Sequence, residues 1–274
     1  MAQDVSPIDG DNRVASGNRR VSQEYELSLR PGRALVIPDF LKPATAARWH
    51  KESMAHRDQW RFSIDHYVLG MAYYAEMENG DVARYHEQAA AADAIVDAVL
   101  PEFRSVMVQA CRFLWNPTHR HIPAHPRAVG GQRLWAHGGL TLNDTEGDLD
   151  GVESEAHFGK GHIDSEGLAP YPHLMLASDT LMYSACLSIA TPASGGGLYV
   201  WEGVRHIGFD RDIRPPESSL TYCRYQPGTL VLVDSFLWHR IERIGTTAEK
   251  RHRIVGVMHF LYLTHPYPHW EYWY

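Results

Sequence analysis

The chain has 274 residues, 44% of them hydrophobic, and 26 basic against 33 acidic side chains, a net charge of −7. It is long enough to bury a core, and its charge argues against broad electrostatic binding of nucleic acid or of an anionic membrane. No run of 18 apolar residues is present to cross a bilayer, residues 1–22 lack the apolar stretch of a secretory signal, and three cysteines without metal-ligand spacing (Cys111, Cys186, Cys223) suit a reducing, cytoplasmic location.

In chain order, residues 1–32 read as a flexible tail, their first part rich in Gly, Asn, Asp and Ser, and 33–274 as a single domain. Residues 33–40 (RALVIPDF) predict a short strand stopped by Pro38, and 45–60 a helix capped by Thr45 or the loop before it. Between Tyr85 and Trp115, the residues Val96, Val99, Phe103, Val106, Ala110 and Phe113 recur at the 3, 4, 3, 4, 3 spacing of one buried helix face. Pro101 lies inside that pattern and predicts a kink or two helices, because proline lacks the backbone donor and clashes one turn back. The part over 45–115 is therefore expected to be helical.

Beyond Trp115 the apolar runs become short and are broken by Gly, Pro and Asp. Strands are expected over 132–142, 181–190, 197–201, 220–225, 228–236 and 252–263. Many short strands separated by turn signals predict a sandwich or barrel over 130–265, so the fold class expected is mainly β with an α-helical N-terminal part. The aromatic tail 266–274 (PYPHWEYWY) can pack on a neighbouring copy, giving a homodimer, or on the barrel itself.

Seventeen histidines raise the question of metal. Imidazole and carboxylate together suit Fe(II), Zn and Mn, and residues at i and i+2 of a strand point to one side and can share an ion. The pattern His-x-Asp/Glu occurs four times. His50/Glu52 and His56/Asp58 fall in the first predicted helix, where i and i+2 diverge by about 200°, and His269/Glu271 falls in the aromatic tail. Only His162/Asp164, in Gly161-His162-Ile163-Asp164, belongs to the β-rich region. Downstream come Gly195-Gly196-Gly197-Leu198-Tyr199-Val200-Trp201, then Pro227-Gly228 leading through an apolar strand to His239, then Arg251-His252-Arg253 opening another strand.

This order resembles the Fe(II)/2-oxoglutarate-dependent dioxygenases, particularly their prolyl-hydroxylase-like branch, and Val36-Ile37-Pro38-Asp39-Phe40-Leu41 before a helix is similar to that branch's N-terminal segment. The resemblance covers 33–263 loosely and 162–260 more specifically. It implies a double-stranded β-helix, or jelly-roll, with helices flanking it. It implies a facial triad of His162, Asp164 and His239 on Fe(II), with 2-oxoglutarate and O₂ as co-substrates at the positions left open. It also implies an arginine paired bidentately with the distal carboxylate of 2-oxoglutarate, a task for the planar guanidinium fork. Arg251 and Arg253 have the same strand parity; Arg253 is preferred because it leads directly into the last long strand. Tyr183 is a second candidate partner of that carboxylate, with core packing as its plain alternative.

The activity so implied is oxidation of an unactivated C–H bond of a small molecule, such as an amino acid derivative or a natural-product (secondary-metabolism) intermediate. Asp164 points to hydroxylation, desaturation, cyclisation or epoxidation rather than halogenation. A cupin-like jelly-roll that binds metal or ligand without oxygenase activity is the alternative; it leaves Arg253 unexplained. His119, His121 and His125 sit among Pro117, Pro123 and Pro126 and read as a surface loop. His157 either faces the site or shapes its loop. Trp135, Tyr199, Trp201 and Trp238 either wall a substrate pocket or belong to the core. The acidic, glycine-containing segment 143–161 is expected to act as a lid, since it is long for a connection and runs into His162.

Overall fold

The computed structural model of the chain describes residues 28–63, 66–70, 82–126, 133–137, 161–164, 168, 174, 177–206, 217–242 and 253–273. The lid expected over 143–161 (save Gly161), His157 and Arg251 lie outside them. Within residues 28–32, Leu29 is buried, its amide donates to the Phe113 carbonyl, and its own carbonyl accepts from Trp115.

Proline and glycine set the first boundaries. β1 (Ala34–Ile37) ends at Pro38 and pairs antiparallel with β9 (Leu230–Asp234). α1 (Pro43–Ala55) opens with Pro43 in its first turn, where a missing N–H costs nothing. The helix expected over 45–60 thus starts two residues earlier and gives way at its far end to a 3₁₀ turn, Arg57–Gln59. There Trp60 folds back, and its indole N–H donates to the Ser53 carbonyl at 2.9 Å.

The long helical pattern divides at Leu100–Glu102, around Pro101, into α2 (Val82–Val99) and α3 (Phe103–Val108), followed by a 3₁₀ turn, Gln109–Phe113. Val96, Val99, Phe103, Ala110 and Phe113 are all buried, with Val106 partly so. The helical expectation for 45–115 needs one correction. β2 (Arg61–Ser63) and β3 (His66–Gly70) lie within it, and β3 pairs with β5 (Arg133–His137). The Tyr-Val-Leu run of β3 suits a pleated, half-buried surface better than a helix.

The remaining strands are β4 (Ala124–Pro126), β6 (Met182–Ala190), β7 (Leu198–Arg205), β8 (Leu220–Cys223), β10 (Leu237–Ile241), β11 (Arg253–Leu263) and β12 (His269–Trp273). A nine-stranded sheet has the order β1-β9-β6-β11-β5-β3-β2, with β12 also on β11 and β4 on β12; a three-stranded sheet has the order β10-β7-β8. The run expected as one strand over 228–236 stops at Asp234. Its carboxylate accepts from the Phe236 amide at 3.0 Å and from the Gly32 amide at 2.7 Å, and pairs with Arg205 at 2.7 Å. That anchored turn reverses the chain, so His239 sits in the middle of a separate strand on the other sheet, not at the end of the first.

Alternation divides β6 between two cores. Tyr183, Ala185 and Leu187 face the helices, in a cluster with Trp49, Phe103, Met258 and Phe260. Ser184, Cys186 and Ser188 face the other way, toward the second sheet, where Cys186 packs with Val231 and Val233 against Leu198, Val200 and Leu237. Two facing, largely antiparallel sheets with helices on one outer face are consistent with a jelly-roll. The aromatic tail packs on this fold: Trp270, Tyr272 and Trp273 are buried, and β12 pairs with β11 and β4. His125 lies in β4, exposed, against His269 and Tyr267. No helix among the described residues is long and apolar enough to cross a membrane.

Gly228 locks the N-terminal segment onto the sheet. Its φ is +92°, its amide donates to the Ser188 carbonyl at 2.8 Å, and its carbonyl accepts from Leu41 at 3.0 Å. A Cβ there would lie 2.1 Å from the Leu41 carbonyl oxygen. Gly228→Ala is expected to destabilise the protein by about 2–3 kcal/mol, from backbone strain and the clash together. The check is urea unfolding, with a midpoint falling by about 1 M at an ordinary slope; an unchanged midpoint would show that the segment can shift freely.

Candidate metal centre

His162 and His239 lie 77 positions apart in the sequence, and backbone pairing joins them. Each donates its amide to the other's carbonyl, at 2.9 and 3.0 Å, in an isolated antiparallel bridge. Asp164, two residues on, continues that extended stretch by donating its amide to the Ser235 carbonyl at 2.9 Å. Alternation along β10 puts His239 on the same buried face as Leu237, toward the same spot.

The three side chains converge. The Nε2 atoms of His162 and His239 lie 3.7 and 3.5 Å from Asp164 Oδ1, and the imidazole centroids are 4.3 Å apart. All three ligand atoms fall within 4.8 Å of one another, the only such cluster of three or more among the described residues. Ligands at about 2.1 Å from an ion and at right angles would stand about 3 Å apart, so small side-chain rotations bring this set onto one face of a metal. His239 Nδ1 lies 3.0 Å from the carbonyl of Leu237, which makes Nδ1 the protonated nitrogen and leaves the Nε2 lone pair for coordination. Burial pushes the Asp164 carboxyl up, but the imidazoles of His239, His259 and His162 outweigh it and hold the group well below the usual carboxylate range. The donor set, two imidazoles and a carboxylate, suits a divalent first-row ion.

The two sides of the cluster differ. The His239 side chain is 8% exposed and that of His162 51%, so the centre opens on the His162 side. Gly161 permits a close approach there: a Cβ would lie 2.3 Å from the Trp238 ring, whose other neighbour is His206. Trp238 and Arg240 lie on the strand face opposite His239, and the Arg240 guanidinium stacks over Tyr199 and Trp201. Tyr199, Trp201 and Trp238 therefore lie on the outer face of the three-stranded sheet and do not wall its interior. Trp135 is in β5.

Arg253 is almost wholly buried, at 2% exposure, and shares the inward parity of Val255, Val257 and His259 on β11. Its guanidinium lies 4.8 Å above the Tyr225 ring. Its Nε and Nη1 have no hydrogen-bond partner among the described residues. Burial holds the Tyr225 phenol well above its ordinary pKa, so it stays a neutral donor. A buried guanidinium with N–H groups unpaired among the described residues suits a carboxylate.

Tyr183 is not part of this group. It faces the helical side of β6, packed edge-on to Trp270 at 5.8 Å. The sequence reading did not single out Tyr225, under the Arg253 guanidinium, or Ser184, bonded to Asp164. The available signal was a serine at every fourth position of an otherwise apolar strand, and a tyrosine ending the run at 220–225.

The fold is similar to solved structures of an N-substituted L-amino acid dioxygenase from Burkholderia ambifaria AMMD. One matches at a TM-score of 0.52 and 15% identity, covering 93% of this chain and 91% of that one. The other, a complex with alpha-KG, matches at 0.52 and 14% identity, covering 88% and 86%. No family model and no curated protein matches the sequence.

Proposed function

We propose that the chain is an Fe(II)- and 2-oxoglutarate-dependent oxygenase of the prolyl-hydroxylase-like branch, oxidising a C–H bond of a small molecule such as an amino acid derivative or a natural-product intermediate. The observation that carries this reading is the convergence of His162 Nε2, Asp164 Oδ1 and His239 Nε2 on one point. In this reading these three residues hold the iron and leave three positions open. Arg253 takes the distal carboxylate of 2-oxoglutarate through its unspent Nε and Nη1, its guanidinium seated over the Tyr225 ring. When loaded, such a centre couples the oxidative decarboxylation of 2-oxoglutarate to succinate and CO₂ with transfer of one oxygen atom of O₂ to the substrate.

The chain's own contribution is position and exclusion. Apolar packing of Val200, Val231, Val233 and Leu237 between the sheets keeps water from the interior behind the triad. The opening beside His162 leaves that side for the substrate, which must present its C–H bond at a fixed distance and angle. The fold likeness to an enzyme whose solved structure holds alpha-KG agrees with this reading.

The test is succinate formation from 2-oxoglutarate with Fe(II), ascorbate and air, alongside anaerobic binding of 2-oxoglutarate to the Mn(II)-loaded protein. Succinate formation above that of a His162→Ala control is expected. Metal binding with no 2-oxoglutarate binding would instead identify a cupin-like jelly-roll without oxygenase activity.

A further inference from the structure

Resting on the metal reading of the site, we propose that Ser184 and His259 are positioning residues that hold Asp164 as a ligand through one oxygen. Ser184 sits on the inward face of β6, and its hydroxyl meets three groups. Asp164 Oδ2 lies at 2.7 Å, Ser235 Oγ at 2.8 Å and His259 Nδ1 at 3.1 Å. A serine hydroxyl has one proton and two lone pairs, and an ionised carboxylate can only accept. The single proton of Ser184 therefore goes to Asp164 Oδ2, and its lone pairs take protons from Ser235 and from His259. This fixes His259 as the tautomer protonated on Nδ1, at the head of a chain running His259 Nδ1–H to Ser184 Oγ–H to Asp164 Oδ2.

Four separate segments meet here, β11, β6, the turn after β9 and the extended stretch that carries Asp164, so the geometry is set by the fold and not by one loop. His259 is itself clamped. Its ring stacks on that of Trp273, its register partner on β12, with centroids 5.5 Å apart and planes at 27°. The aromatic tail thus reaches the metal centre through His259. With Oδ2 engaged by Ser184, Oδ1 is the oxygen turned to the two imidazoles, and the carboxylate cannot rotate to chelate with both. A carboxylate bound through one oxygen leaves a coordination position free.

The experiment is a Co(II) titration followed by visible absorption, whose band intensity reports coordination number, on the wild type and on Ser184→Ala, His259→Leu and His259→Asn. Melting of each metal-free protein is measured in parallel. Ser184→Ala is expected to weaken Co(II) binding about tenfold or more and to lower the band intensity as Oδ2 becomes free to coordinate. His259→Leu is expected to act in the same direction. His259→Asn, whose amide N–H stands near the place of Nδ1–H, is expected to restore affinity to within about threefold of the wild type. The His259 pair decides the question alone if Ser184→Ala does not fold. Wild-type affinity and spectrum in Ser184→Ala, or in His259→Leu, with a wild type that does bind Co(II), would overturn the positioning role and leave the metal centre standing. A wild type that binds no Co(II) would overturn both.

Discussion

His239→Ala is expected to abolish metal-dependent turnover while leaving the fold intact. The side chain supplies one of only three ligands, and its Nε2 is the lone pair made available by the contact of Nδ1 with the Leu237 carbonyl. Loss of an outer partner of a metal ligand costs about 10–100-fold in affinity, so loss of the ligand itself must cost at least on the order of 100-fold. The fold survives because the bridge between His239 and His162 is made by backbone atoms, which alanine keeps. Stability gives a readout independent of turnover. Metal at 100 times its dissociation constant stabilises the wild type by about 2.7 kcal/mol, and the variant at the same concentration gains almost nothing. His162→Ala and Asp164→Ala are expected to behave alike. Full turnover in His239→Ala would remove the assignment of the triad.

Arg253→Met is expected to separate stability from co-substrate binding. In the metal-free protein Arg253 carries a buried charge with two of its nitrogens unpartnered among the described residues. Apolar side chains of similar volume are often neutral or stabilising by about 1–4 kcal/mol in place of a buried ionic group, so the melting temperature of the variant should hold or rise. Half-saturation by 2-oxoglutarate should move the other way. Removing one partner of a buried, charge-assisted pair costs about 2–5 kcal/mol, roughly 30-fold or more in affinity. A purely structural arginine would lose stability and leave half-saturation alone. Arg251→Ala, the alternative that strand parity leaves open, is expected to change half-saturation by less than about threefold; a reversal of the two effects would move the anchor to Arg251.

The legibility of the fold varied with the kind of signal. The strand of 181–190 and the last long strand were readable to within one residue, because each is a long, mainly apolar run rich in strand-forming residues. The division of the helical stretch at Pro101 was readable because proline acts through its own covalent geometry. β3 was not, since five residues carry too little periodicity to be told from the helices on either side. The reversal after Asp234 was also hidden: the apolar run continues through Phe236-Leu237-Trp238, and the break is made by hydrogen bonds from Phe236 and from the distant Gly32.

By itself the sequence determined which pair could chelate a metal: of four His-x-Asp/Glu pairs only His162/Asp164 lies in the β-rich region, and His239 joined it through the resemblance to a known family. Only the tertiary structure decided which tyrosine stands beside the buried arginine. Alternation told that Tyr183 and Ser184 point to opposite sides of β6, but both sides are buried, one under helices and one under the second sheet. In a strand covered on both faces, hydrophobicity no longer marks the interior of the barrel, so side-chain direction along the chain cannot be turned into a place in the fold. That is why Tyr183 was singled out on sequence and Tyr225, at the end of another strand on the other sheet's side, is the residue under Arg253. The contacts of Ser184 with Asp164, Ser235 and His259 span 20, 51 and 75 positions, separations that only the packing of strands brings to hydrogen-bond distance.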